Sequence, residues 1–285
     1  MPKHFYSKGE GNDGYIKNLE VLSFCGMDDS CGMFQMALYK TKEGRYLLYG
    51  AAFAAGPAGV GIMISDVTDP RKPVFIKKWL PFSIEEYPTT SIPKVQIADD
   101  KLIFALTSGG GPGALVGDRD KVKSLQGIMI YSLKDDPENP EFLGYWDCGV
   151  PHSMGVHRFM YNGGDYVHLS AEAMEFEGLI YRIINISDPA HPVEEGRWWA
   201  PHQYVDGYPG RTVDHSAPHV PDFMDKGWLH GPPFVKDGKC YMGYCGDGLI
   251  ILDVSDFKRP RALGQLKFMP AFSSHLAGAR THTAL

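Results

Sequence analysis

The sequence predicts an all-β fold built from repeated four-stranded units, and three observations carry that prediction. Four hairpins of one pattern recur along the chain, each preceded by another apolar strand. Gly and Pro are abundant, 33 and 21 of 285 residues, which suits many turns and short strands. Helical periodicity is weak everywhere, and no run at the 3.6 period is long enough to matter.

The hairpins read GIMISDVTDPRKPVFIKKW (61–79), GIMIYSLKDDPENPEFLGYW (127–146), LIYRIINISDPAHPVEEGRW (179–198) and GLIILDVSDFKRPRALGQL (248–266). In each, a β-branched apolar strand runs into a turn, DPRKP, DPENP, DPAHP or DFKRP, and a second strand follows. Asp opens such a turn because its carboxylate bonds the backbone just beyond it, and Pro fixes φ. Upstream of the hairpins lie RYLLYGAAF (45–53), KLIFALTS (101–108), DYVHLSAE (165–172) and KCYMGYCG (239–246). Each unit therefore holds about four strands, the size of a propeller blade.

The repeat resembles the LVIVD repeat family, whose units carry a strand of the type GLxIxDVSDPxxP and build β-propellers. GLIILDVSD (248–256) and GIMISDVTDP (61–70) carry the resemblance. It implies a β-propeller of four-stranded blades over a single domain, 1–285, with four full repeats plus a partial fifth. The partial unit is FSSHLAGARTHTAL (272–285), which lacks its hairpin. Rings of this family commonly have seven blades. The expectation is a chain incomplete at its C-terminus, a fragment of such a ring, with a compact four- or five-bladed ring as the alternative.

Composition narrows the function classes. The net charge is −6 and no long basic run occurs, which argues against nucleic acid as a partner. No apolar run is long enough to span a membrane, and MPKHFYSKGEGNDGY lacks the apolar core of a signal peptide. The expected compartment is cytoplasmic. Five cysteines, Cys25, Cys31, Cys148, Cys240 and Cys245, read as free buried thiols rather than a disulfide framework.

The functional reading starts from the histidines. VPHSMGVHRFMYNGGDYVHLS (150–170) holds His152, His157 and His168. When the units are aligned on the strand before each hairpin, the residue where the chain comes into each blade is Gln35, Lys94, His157, His230 and His282 in turn. The innermost strands of a propeller line its central channel, so these positions face one axis. Histidines from separate blades can hold a divalent metal without any short motif. His157, His230 and His282 are the expected ligands. His152, His215 and His275 lie in loops just upstream, as further ligands (His275 foremost), orienting partners or acid–base groups. Lys94 or Arg280 is placed to bind a substrate carboxylate, and Tyr161 to transfer a proton. Arg158, Glu172 and Asp214 are further candidates at the same end, and His219 is a looser one.

The plainer readings run beside these. Histidines near blade ends can bond loop carbonyls across blades, and Tyr161 can be a core aromatic. His168 is a strand residue of open facing; His4, His191 and His202 read as ordinary surface residues. TSGGGPGALVGD (107–118) lacks the GK[ST] ending of a phosphate loop and reads as a loop between strands. RWWAPHQYVDGYPGR (197–211) is either an apolar wall for a substrate or the end of an outer strand.

The arrangement is similar to that of carotenoid-cleavage oxygenases and selenium-binding proteins, which hold a metal on a propeller axis through histidines. It also resembles oligogalacturonate lyase-like propellers, which use histidines and a glutamine. No local motif is shared with either. A histidine shell leaves Fe, Mn, Zn and Cu open. The expected function is a metal-dependent enzyme of lyase or hydrolase type on a small organic substrate, with the metal as Lewis acid. Oxidative cleavage by an oxygenase or oxidase is one alternative, and a non-catalytic binding propeller is another.

Overall fold

The computed structural model describes residues 20–27, 33–53, 60–108, 123–150, 153–205, 228–267 and 281–284. Its strands form four antiparallel sheets, each of four strands in chain order. The first holds β1 (Met33–Lys40), β2 (Tyr46–Phe53), β3 (Val60–Asp66) and β4 (Val74–Trp79). The second holds β5 (Thr90–Ala98), β6 (Lys101–Ser108), β7 (Gly127–Ser132) and β8 (Glu141–Asp147). The third holds β9 (Val156–Met160), β10 (Tyr166–Ala171), β11 (Ile180–Asn185) and β12 (Val193–Trp198). The fourth holds β13 (Phe234–Lys236), β14 (Lys239–Gly243), β15 (Leu249–Asp253) and β16 (Arg261–Leu266). These are the blades of a β-propeller, and the four predicted hairpins are β3–β4, β7–β8, β11–β12 and β15–β16.

The Asp turns work as the sequence implies. Asp69, Asp136, Asp188 and Asp256 each accept a bond at Oδ1 from the amide two residues on, at 2.9, 3.0, 3.1 and 3.0 Å. Each backbone carbonyl also accepts from the amide three residues on. One carboxylate thus satisfies each of the four turns, and in three of them Pro70, Pro137 or Pro189 follows the Asp and preorganises the turn.

The blades pack face to face, which explains why the middle strands are apolar on both sides. β6 and β7 are almost wholly buried. Leu47, Tyr49, Ile62 and Ile64 of the first blade pack with Val95, Leu102 and Phe104 of the second. Ile103, Ile128 and Ile130 of the second meet Val156, Val167 and Ile184 of the third. Tyr181 and Ile183 of the third meet Cys240, Met242 and Leu252 of the fourth. Each such side chain contributes about 1.5–3 kcal/mol on burial, so the seams between blades carry the stability. Cys148, Cys240 and Cys245 are buried free thiols, as expected; Cys25 is half-buried and free.

Glycine in the outer strands lets successive blades close up. A Cβ on Gly144 of β8 would stand 1.8 Å from the Pro189 carbonyl oxygen, in the third blade's Asp turn. One on Gly196 of β12 would stand 1.9 Å from the Phe257 carbonyl oxygen, in the fourth blade's turn. Both contacts exclude any side chain.

Candidate functional site

The first strands of successive blades lie side by side, β1 against β5 and β5 against β9. All carry an irregularity near their incoming end. In β1 the pairing with β2 slips between Met33 and Gln35. In β5 it slips between Ser91 and Lys94, around Pro93, which cannot donate to the ladder. In β9, Val156 and Arg158 pair with the consecutive residues Ala171 and Ser170, leaving His157 as the inserted residue. Ahead of β13, the amides of His230 and Gly231 both point to the Gly243 carbonyl, at 3.2 and 3.5 Å. Bulges of this kind re-aim side chains and are common beside active sites.

The bulges gather residues far apart in sequence. His157 Nε2 lies 3.3 Å from His230 Nε2, so one neutral ring donates and the other accepts. The His230 and His282 ring centres are 4.0 Å apart. The segment holding His282 runs against the fourth blade, where Thr281 accepts a bond from the Cys245 amide at 3.2 Å. Arg158 Nη2 lies 3.2 Å from His282 Nε2. Lys94 is buried, its Nζ 3.4 Å from the centre of the Phe34 ring. Trp228 completes the cluster, its ring 5.0 Å from that of His230 and 6.1 Å from that of His157.

The electrostatics follow from burial among cations. Burial, then His230, Arg158, Lys94 and His282, hold His157 well below its ordinary pKa. Burial, then His282, Arg158 and Lys94, lower His230 to about 3. His282 is lowered by burial and by Arg158 and Lys94. Burial and Arg158 bring Lys94 down to about 7. His157 and His230 are therefore neutral at neutral pH, with lone pairs available to bind.

Buried polar atoms here without a partner among the described residues include His230 Nδ1 and Arg158 Nε. Gln35, at the equivalent place in β1, likewise has a buried Oε1 with no partner.

Of the residues singled out in the sequence, His157, His230, His282, Lys94 and Arg158 come together. Tyr161 does not. It is buried between the second and third blades, its hydroxyl donates to the Gly164 carbonyl at 3.2 Å, and burial raises its pKa to about 12. The apolar seam claims it, which corrects the expectation of a proton-transfer role. Glu172 Oε2 accepts a bond from the Met154 amide at 3.1 Å. His168 is a seam residue, its Nδ1 2.8 Å from the Tyr181 hydroxyl. His191 pairs with Asp188 on the surface, as expected. His152, His215, His219, His275, Asp214 and Arg280 lie outside the described residues, as do 109–118 of the glycine-rich stretch and 206–211 of the aromatic one. Trp228 was not among the sequence candidates. Its one signal is an aromatic two residues ahead of an axis histidine.

Whether the cluster fits a metal turns on spacing. Two imidazoles on one four-coordinate metal stand about 3.3 Å apart at the nitrogens, for bonds of about 2.0–2.1 Å. The His157–His230 separation has that value. His282 turns its Nε2 to Arg158 instead, and among the described residues no group of three His, Cys, Asp or Glu is arranged as a metal site. A metal bound here would take His157 and His230, and a third ligand would have to come from a turn of His282 or from a histidine outside the described residues.

The sequence matches no protein-family model and no curated protein. Its fold is similar to that of the periplasmic gluconolactonase PpgL of Pseudomonas aeruginosa, with a TM-score of 0.50 and 12% identity over 81% of this chain. The present chain spans 56% of that protein's length. An endo-arabinase from Bacteroides thetaiotaomicron matches with a TM-score of 0.41 and 10% identity, over 82% of each chain. At these identities the likeness is one of fold.

Proposed function

We propose that the inner end of the blades is the active site of a metal-dependent enzyme of hydrolase or lyase type, acting on a small organic substrate. The observation that supports it is the pair of neutral, half-buried imidazoles, His157 and His230, brought to ligand spacing from two different blades, the first by the bulge in β9. His157 and His230 would hold the metal, with His282 or His275 as a third ligand. A bound Fe, Mn, Zn or Cu ion would polarise a substrate oxygen or lower the pKa of a water.

The chain's own groups supply the rest. Lys94, with a pKa near 7, gives or takes a proton close to neutrality. Trp228 sets an aromatic ring beside both imidazoles, 5.0 Å from that of His230 and 6.1 Å from that of His157. Lactones are the first substrates to assay, because the Pseudomonas aeruginosa protein of similar fold is named a gluconolactonase.

Protein purified without chelators should carry close to one transition-metal ion per chain by elemental analysis. The His157→Ala/His230→Ala double variant should carry none while keeping its far-ultraviolet circular dichroism. A metal-free wild-type protein sinks the ligand assignment. A binding propeller without chemistry is the second reading. It is favoured by Lys94 and Arg158, whose charges meet no carboxylate among the described residues. Metal-loaded protein that turns over no ester, lactone or glycoside would select it.

A further inference from the structure

The strongest unexplained feature is a charge imbalance. Three other arginines show the usual solution for a guanidinium held in the fold. Arg182 meets Glu194 at 2.5 Å, Arg197 meets Glu194 at 2.6 Å, and Arg45 meets Asp66 at 2.9 Å and Glu138 at 2.7 Å. Arg158 meets no acid among the described residues. Its Nη2 contacts a histidine nitrogen, and its Nε is buried with no partner there. Lys94, 5% exposed, likewise faces an aromatic ring and no described carboxylate. Among the described residues no acidic side chain contributes to the electrostatics of Lys94, Arg158, His157, His230 or His282.

A buried cation without a counter-charge is strongly destabilising, and a buried unpaired donor adds to that. Natural folds keep such groups where a ligand completes them. Both side chains come from positions beside the inner-strand bulges, Lys94 after that of β5 and Arg158 after His157 in β9.

We infer that Lys94 and Arg158 form an anion seat, which holds the carboxylate of a small organic acid next to His157 and His230. This deepens the function proposed above and rests on it only for the claim that substrate reaches the imidazole pair. Arg158 offers its Nε–H to one carboxylate oxygen, and Lys94 supplies the second positive charge. The substrate, or the product, then carries a carboxylate on one side of the reacting group.

The test uses the full chain, as purified and again after chelator treatment, titrated calorimetrically with propionate, propionamide and inorganic phosphate. Propionate should bind and the neutral amide should not. Arg158→Met and Lys94→Met should each weaken propionate binding by about tenfold or more, the scale of a lost charge-assisted bond. Arg158→Lys should retain part of the affinity. Should Arg158→Met fail to fold, Lys94→Met carries the same test with a side chain of similar length. Wild-type affinity in both Met variants overturns the seat, as does equal binding of propionamide. Phosphate binding more tightly than propionate overturns the carboxylate as ligand class. Protein that carries no metal as purified yet binds propionate overturns the metal reading alone; metal-loaded protein blind to propionate overturns the seat alone.

Discussion

The outer strands of the second, third and fourth blades carry glycine at the same place and use it differently. Gly144 and Gly196 lie under a backbone carbonyl of the following blade's Asp turn. Gly264, their counterpart in β16, has nothing among the described residues within 4 Å of where its Cβ would stand, and β16 is exposed along its whole length. The repeated residue belongs to the blade, whereas its necessity belongs to the seam. Sequence alone reports the first; only packing reports the second.

The largest effect that tests this contrast is Gly196→Val. The obstacle is backbone, the Phe257 carbonyl, and it cannot swing aside as a long side chain would. Overpacking of this kind should cost about 3 kcal/mol, read as a lower urea midpoint. A midpoint equal to that of the wild type would break the comparison.

The same seam makes a prediction about acid. His168 lies there with its ring 5.4 Å from Phe257 and its Nδ1 on the Tyr181 hydroxyl. Burial lowers its pKa to about 4. The unfolded chain takes up this proton below about pH 6.5 and the folded chain only near 4. The stability is therefore fully present above pH 6.5 and is lost as pH falls toward 4, by about 3 kcal/mol in all. His168→Phe should narrow the gap between urea midpoints at pH 7 and pH 5. An unchanged gap would mean that the seam is not where acid acts.

The smallest effect belongs to Gly264→Ala. With open space and no positive φ, the added methyl should shift stability by less than about 0.5 kcal/mol, toward a higher melting temperature if anything. A loss comparable to that of Gly196→Val in calorimetry would show β16 to be packed against a neighbour in solution.

The hairpins are legible in the sequence because an Asp turn is a local device: Asp69, Asp136, Asp188 and Asp256 bond amides within three residues. The gathering of His157 and His230 is legible at one remove, because each stands nine residues before the strand that leads into its hairpin, Tyr166 and Lys239 in turn, and so holds an equivalent position in its blade. What stays hidden is which face a strand residue presents once a ladder slips. His168 and His157 share one blade and are both held neutral, yet one completes an apolar seam and the other meets His230. Tyr161 looks like an acid–base candidate until the second and third blades close over it. The bulges themselves leave almost no trace; Pro93 alone hints at one.

Those bulges also separate two kinds of change. The inserted residue of β9 sits outside the ladder, while its neighbours Val156 and Arg158 keep their partners on β10. Replacing His157 therefore alters what the blade presents without touching how the blade is paired. The same holds wherever a slip falls at the inner end. A propeller built this way can exchange its chemistry one blade at a time, each trial leaving the hydrogen-bonded frame, and so the fold, as it was.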